Sequence, residues 1–153
     1  MKLKSFLRLS FLWVLISCNK PEAKLIRKLD LPSYPSSSAI TYLNNHYYIV
    51  GDDAISILIL DSALNISGRI PIYDSSYSGR IAKENKFDPE TLTNIRTKEG
   101  DKLLLLGSGS LPSRDTALIV DPISFKTDRI SLTRFYNRFR KDSMNQVNIG
   151  GAS

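Results

Sequence analysis

The sequence contains one cysteine and one histidine in 153 residues. A single cysteine excludes an internal disulfide framework and a zinc site built from several cysteines. A single histidine excludes a His-rich metal site and leaves His46 as the one possible base of a Ser-His-Asp triad. His46 stands beside Asn44 and Asn45, which is typical of a solvated turn residue. Hydrophobic residues at 42% and charged residues at 24% are typical of one globular domain.

Long hydrophobic runs are also missing, because the apolar run at 11–16 is too short to span a bilayer. It follows a basic segment, and the sequence then reads Leu15-Ile16-Ser17-Cys18. This pattern resembles the lipobox of bacterial lipoproteins, in which the cysteine is lipidated and becomes the first mature residue. The resemblance implies a signal peptide at 1–17, a lipidated tether at 18–29 and attachment to the membrane of the cell envelope, specifically the outer membrane. The alternatives are an ordinary signal peptide with a chance cysteine, or a short N-terminal helix.

The formal net charge of +6 overstates the basicity of the mature protein. Removal of residues 1–17 takes away Lys2, Lys4 and Arg8 and no acidic residue, which halves the net charge. A charge that small on a domain of this size gives no support for nucleic-acid binding. We therefore expect a membrane partner through the lipid and no nucleic-acid partner.

Short apolar and β-branched runs separated by Gly, Asp, Asn, Ser and Pro predict an all-β fold. The strands recur in the same order at spacings of 52 to 60 residues. For example, Ile57-Leu58-Ile59-Leu60-Asp61 matches Ala117-Leu118-Ile119-Val120-Asp121. The predicted strands of the two copies are 38–43, 46–51, 55–61 and 68–73, then 90–96, 102–107, 116–121 and 127–132.

Repeated units of four short strands are typical of β-propeller blades, which stack because one twisted sheet cannot bury both of its faces. The sequence therefore predicts an incomplete β-propeller at 30–153, with one blade at about 36–73 and a second at about 88–132. A third blade begins at about 146, where Val147 to Ala152 have the pattern of a strand. The alternative is a β-sandwich with similar strands. An open propeller exposes sheet faces, so we expect missing blades or other copies of the chain to complete it.

Several short motifs in this order resemble an uncharacterised family of Bacteroidota β-propeller lipoproteins and, more loosely, the esterase-like phytases. The motifs, which span residues 36–152, are Ile49 to Asp53, Ser78 to Ile81, Asp88 to Thr93, Leu106 to Ser110 and Arg114 to Thr116. The resemblance implies that this chain corresponds to the N-terminal part of a propeller. Members commonly have an acidic residue where Gly150 stands, so an acidic site in the third blade is not expected here.

Asp88 and Glu90 begin the inner strand of the second copy and lie two residues apart, so both can point to one face. Clustered carboxylates are preferred ligands of Ca2+, and the pair is a candidate metal site. Alternatively, Asp88 caps the loop and Glu90 pairs with Arg80 or Arg114. Asp52 and Asp53 are candidate ligand residues at the end of a strand, although Gly51-Asp52-Asp53 also reads as a tight turn in which Gly51 supplies a positive φ.

The loop Leu106-Gly107-Ser108-Gly109-Ser110, followed by Arg114, is a candidate site for an anionic small molecule. Small residues allow backbone amides to approach an anion, and arginine binds phosphate or carboxylate with two N–H groups. The loop lacks the Gly-Lys-Ser/Thr ending of a phosphate-binding P-loop and does not have the spacing of a hydrolase nucleophile turn. The candidate ligand residues in this part of the chain are Arg80, Ser108, Ser110 and Arg114.

Leu132, Phe135, Tyr136 and Phe139 have the spacing of a short amphipathic helix. We expect it to cover a blade edge, with contact to a membrane surface as the alternative. Taken together, the sequence predicts a lipid-anchored envelope protein with a binding or structural role. The alternative is a Ca2+-dependent phosphoesterase resembling the esterase-like phytases, in which Asp88 and Glu90 hold the metal while Arg80 and Arg114 hold the substrate anion.

Overall fold

The computed structural model of the chain describes residues 24–73, 81–141, Val147 and Gly150. Two four-stranded antiparallel sheets form the described part, with strand orders β1-β2-β3-β4 and β5-β6-β7-β8. Sheet one consists of β1 (Ser37–Leu43), β2 (His46–Gly51), β3 (Ser56–Asp61) and β4 (Ile66–Pro71). Sheet two consists of β5 (Pro89–Thr97), β6 (Gly100–Gly107), β7 (Thr116–Val120) and β8 (Thr127–Ser131). The all-β prediction is confirmed, and every predicted strand lies within two residues of an observed one.

The two sheets pack face to face around one apolar core. Because side chains alternate across a strand, every second residue of the central strands points into this core. Sheet one contributes residues such as Val50, Ile57 and Ile70, and sheet two contributes residues such as Leu103 and Leu118, all at 0–1% exposure. A hydrogen bond of 2.7 Å from the Ser38 hydroxyl to the Pro89 carbonyl also joins the starts of the two first strands.

The same backbone device begins both sheets. Ser36 and Asp88 have positive φ angles of 49° and 57°, and their carbonyls accept 3.0 Å hydrogen bonds from the amides of Asp52 and Ser108. A register shift follows in each first strand, between Ser37 and Ala39 and between Pro89 and Thr91. These matching irregularities place the two four-stranded units in structural correspondence and support the internal repeat read from the sequence.

The glycines at the ends of β2 and β6 are needed for close approach of the backbone. A Cβ atom on Gly51 would lie 2.3 Å from the Pro35 carbonyl oxygen, and one on Gly107 would lie 2.3 Å from the Arg114 carbonyl oxygen. Gly51 is not among the glycines with positive φ. The prediction that it supplies a positive φ is therefore wrong. Glycine is needed at position 51 because the neighbouring backbone leaves no room for a Cβ atom.

The face of sheet one that points away from sheet two is covered by the segment before β1. Tyr34 and Leu31 pack there against Ile49 and Leu58. The Tyr34 hydroxyl donates to the carbonyl oxygens of Ile49 and Ser56, at 2.9 and 2.7 Å, and burial raises the pKa of Tyr34 to about 12. This segment closes one end of the two-sheet stack.

Helix α1 (Thr133–Lys141) follows β8 and lies over the end of sheet two. Tyr136 is fully buried, and its hydroxyl donates to the Gly107 carbonyl at 2.6 Å. Arg140 forms an ion pair with the buried carboxylate of Asp115. The predicted amphipathic helix is therefore present, and its buried side is fixed to the strand ends.

Several predictions fall on other parts of the chain. The signal peptide at 1–17 and Cys18 lie outside the described residues, while residues 24–29 of the predicted tether are exposed and have no regular structure. In the predicted third unit, Val147 is buried and Gly150 is exposed, and their neighbours lie outside the described residues. Among the described residues no helix is long and apolar enough to cross a membrane.

Candidate functional site

Three carboxylates meet where the first strands of the two sheets begin. One side-chain oxygen each from Asp52, Asp88 and Glu90 lie within 4.8 Å of one another. Asp52 follows β2, Asp88 immediately precedes β5, and Glu90 is the residue at the register shift of β5. A bulge of this kind redirects a side chain at the edge of a sheet, which explains how Glu90 and Asp88 come to share a site.

Asp88 is the most heavily bonded of the three carboxylates. Its Oδ2 accepts hydrogen bonds from Arg114 Nη1 at 2.6 Å and from the Ser108 hydroxyl at 2.9 Å. Its Oδ1 lies 3.0 Å from Lys86 Nζ. The side chain is only 10% exposed. The three donors therefore supply the hydrogen bonds that water would give to an exposed carboxylate.

Lys86 connects Asp88 with Asp53. Its ammonium group lies 3.0 Å from Asp88 Oδ1 and 3.2 Å from Asp53 Oδ1, and its side chain is 13% exposed. Burial lowers the pKa of Lys86, but the hydrogen bonds to Asp88 and Asp53 outweigh it and hold the pKa above the usual value. Lys86 is therefore a charged partner that offsets part of the negative charge of the site.

Glu90 and Asp52 have much weaker local compensation. Glu90 makes no hydrogen bond or ion pair with any described residue, and burial, together with the charges of Asp52 and Asp88, raises its pKa. Asp52 Oδ1 is buried and has no hydrogen-bond partner among the described residues. Unpartnered buried oxygen atoms are costly, so this side of the cluster has unused capacity to bind a cation.

Arg114 and the serine loop form a connected network around Asp88. Besides Asp88, Arg114 Nη1 donates to the Ser110 hydroxyl at 2.7 Å, and Nη2 donates to the Lys83 carbonyl at 3.3 Å. The hydroxyls of Ser108 and Ser110 lie 2.8 Å apart. The amide of Ser108 is also bonded to the Asp88 carbonyl. Both terminal nitrogens of the guanidinium that we expected to hold an anion are thus bonded within the protein, while its Nε is buried without a partner among the described residues.

An open pocket of about 510 Å3 lies beside this network. Lys83, Lys86 and Arg114 give it a basic wall, and Asp53 and Asp88 lie next to them. Sequence reasoning missed Lys86 and Lys83, because the loop before β5 has no motif to single them out. The position of Lys86, two residues before Asp88, was the available signal.

The structure brings together seven of the eight candidate ligand and metal residues. These are Asp52, Asp53, Asp88, Glu90, Ser108, Ser110 and Arg114, all at the same end of the two sheets. Arg80 lies outside the described residues. His46, which is the first residue of β2, accompanies Leu43 and Asp61 at the opposite end of sheet one.

Residues 33–153 match a family described as a family of unknown function (DUF6929). The chain belongs to this family. No curated protein and no solved structure matches the chain. The match covers both sheets, α1 and the complete carboxylate cluster.

The three carboxylates of the cluster occupy positions at which the other repeat has serine. Asp88 corresponds to Ser36 by the positive φ, and Glu90 corresponds to Ser38 by the register shift. Asp52 corresponds to Ser108, because each donates its amide to the carbonyl of the positive-φ residue. The backbone device therefore accepts either residue type, and the fold alone does not require three carboxylates here.

Proposed function

We propose that this chain is the lipid-anchored, blade-forming part of a β-propeller-type envelope protein with a binding role. The binding site is the carboxylate cluster of Asp52, Asp88 and Glu90 together with the basic pocket beside it. The correspondence of the two sheets supports the blade arrangement, and the sequence Leu15 to Cys18 supports the anchor. The observation that carries the binding role is the convergence of three carboxylates, two of which form no salt bridge with a described residue.

The cluster suits a hard divalent cation, and we propose Ca2+. Calcium prefers carboxylate and carbonyl oxygens and tolerates irregular geometry. Asp52 and Glu90 offer oxygens that no described group uses, while Asp88 Oδ1 shares its charge with Lys86. Because Lys86 competes for this oxygen, we expect the weak affinity of extracellular calcium modules, with a Kd of about 0.1–1 mM.

Calcium titration of the 153-residue chain tests the proposal. About 10 mM Ca2+ should raise the free energy of unfolding by about 1.4–2.7 kcal/mol if it binds only the folded state with this Kd. Glu90→Gln should abolish most of the gain, because it removes a negatively charged ligand. The matched control is Glu99→Gln, since Glu99 is exposed in the turn between β5 and β6. A gain in the Glu90→Gln protein equal to that of the unsubstituted chain would contradict the assignment.

The lipid anchor has a separate test. When the chain is expressed in a bacterium supplied with an alkyne-labelled fatty acid, we expect the label on the unsubstituted protein and none on a Cys18→Ala protein. Membrane fractionation of the same cells should place the labelled protein in the envelope. Equal labelling of both proteins would show that Cys18 is not the lipidated residue.

The second candidate is a Ca2+-dependent phosphoesterase, favoured by the basic wall of Lys83, Lys86 and Arg114 next to the carboxylates. In this arrangement the cation and the basic side chains would together hold a phosphate group. Hydrolysis of p-nitrophenyl phosphate that requires Ca2+ and is lost in the Glu90→Ala protein would support it. Calcium binding without hydrolysis would leave the binding role as the function of the site.

A further inference from the structure

Sheet two has an apolar face that points away from sheet one. We call it the outer face of sheet two. Its members are every second residue of the central strands and one residue of the last strand, namely Leu104, Leu106, Ala117, Ile119 and Ile130. Their neighbours Leu103, Leu105, Leu118 and Val120 point the other way, into the core between the sheets.

The correspondence of the repeats identifies the same face in sheet one. Leu104 and Ile119 are directly opposite each other on β6 and β7, as Tyr48 and Ile59 are on β2 and β3. Ile130 likewise corresponds to Ile70. In sheet one this face is the one that packs against sheet two. The same surface therefore has a sheet partner in the first repeat.

Exposure separates the two copies of this face. In sheet one, Tyr48, Ile59 and Ile70 are 4%, 7% and 0% exposed. In sheet two, Leu104 and Ile119 are only half-buried, and Ile130 is 42% exposed. Leu104, Ile119 and Ile130 are thus more accessible than their equivalents in sheet one, while the smaller Ala117 stays buried at 3% exposure.

The packing between the two sheets indicates what kind of surface would cover the outer face of sheet two. The face of sheet one packs on a sheet that presents Leu103, Leu105, Leu118 and Val120. Sheet one itself has that type of face, with Ile49 and Leu58, but Tyr34 and Leu31 already cover it. Among the described residues of a second copy, the central positions Ile49 and Leu58 of this face are therefore already buried, and only residues toward its rim, such as Ile40 and Ile66, are exposed.

We propose that the outer face of sheet two is the docking surface for a further four-stranded sheet of the same repeat. The incoming sheet presents aliphatic side chains at positions equivalent to Leu103, Leu105, Leu118 and Val120. This inference extends the proposed blade arrangement and is independent of the carboxylate cluster. Stacking of like units is how repeat proteins bury faces that a single unit leaves open.

An extended chain tests the proposal directly. It contains the whole protein followed by a second copy of residues 81–141, which supplies one more sheet of the repeat. Both the original and the extended chain carry Cys18→Ser, and Ile119→Cys in the original sheet two, so that one thiol reports on the outer face. We expect a maleimide reagent to modify this thiol at least about tenfold more slowly in the extended chain, because a docked sheet buries it.

The matched control is the extended chain with Leu105→Asp and Leu118→Asp in the added copy only. Its labelling rate should return to that of the original chain, since charged residues on the incoming face prevent docking. Equal labelling of the original and extended chains would overturn the proposal. Slow labelling of the original chain, accompanied by a dimer in analytical ultracentrifugation, would also overturn it by showing that a second copy covers the face. Neither result depends on calcium binding.

Discussion

The ion pair between Arg114 and Asp88 should be a major contributor to the stability of the region that joins the two sheets. Their side chains are 8% and 10% exposed and meet at 2.6 Å. Replacement of Arg114 by Met keeps most of the apolar stem but leaves the carboxylate without its closest donor. Removal of one partner from a buried pair costs about 3–5 kcal/mol. Because Lys86 and Ser108 still contact Asp88, we expect a somewhat smaller loss of about 2–4 kcal/mol.

A double-mutant cycle separates the ion pair from other effects of the substitution. Asp88→Asn removes the negative charge but tolerates the positive φ at this position, because Asn adopts this conformation readily. In the Asp88→Asn, Arg114→Met double variant both members of the ion pair are replaced by neutral residues, so neither substitution leaves the other member as an unpaired buried charge. Its loss should therefore be smaller than the sum of the two single losses by about 1–3 kcal/mol.

Urea unfolding of the four proteins, followed by circular dichroism, measures these differences. Arg96→Met is the matched control, because Arg96 pairs with Asp101 on the surface with its side chain 85% exposed. Exposed ion pairs contribute little, so the midpoint of the control should stay close to that of the unsubstituted protein. A loss below about 1 kcal/mol for Arg114→Met, or additive losses in the double variant, would refute the reasoning.

Three further substitutions test other parts of the fold by urea or thermal unfolding. Tyr136→Phe should cost about 1–2 kcal/mol because a buried carbonyl loses its donor, and an unchanged midpoint would contradict this. The Lys102 hydrogen bond lowers the pKa of Asp121, so Asp121→Asn should lower stability above about pH 4. The difference should shrink as the pH falls toward about 2, because the unfolded chain then takes up a proton that the folded carboxylate does not, and a difference independent of pH would contradict this. Gly51→Ala should cost about 1–3 kcal/mol, because the added Cβ would lie only 2.3 Å from the Pro35 carbonyl oxygen. Gly68→Ala should cost less, because its Cβ would lie 3.5 Å from the Ile59 side chain.

The strands could be predicted because they depend on local patterns. Ile57 to Leu60 and Leu103 to Leu106 are apolar runs between turn residues, and both are central strands in the structure. The predicted helix has the same origin, since Tyr136 is the buried member of a local spacing pattern. The repeat was also readable, because it keeps the order of these patterns even where loop lengths change.

The sequence could not show which basic residue bonds to which carboxylate in the site, because these contacts depend on the path of the loops. One alternative from the sequence paired Glu90 with Arg80 or Arg114; Arg114 bonds to Asp88 instead, and Arg80 lies outside the described residues. The positive φ at Asp88 and the register shift at Glu90 set these directions. Neither irregularity has a signal in residue type, since serine occupies both positions in the first repeat.

The exchange of serine and acid between the repeats bears on what the cluster is for. Ser36 and Ser38 hold the same backbone positions as Asp88 and Glu90, and both serve the fold without a charge. Three carboxylates brought together at one point instead repel one another, and the charges of Asp52 and Asp88 add to burial, the main cause, in raising the pKa of Glu90. Lys86 and Arg114 form ion pairs with Asp88, whereas at Glu90 their charges lower the pKa by less than burial and the two aspartates raise it. A bound cation would offset the remainder, and for this reason we propose that the excess negative charge serves binding and not folding.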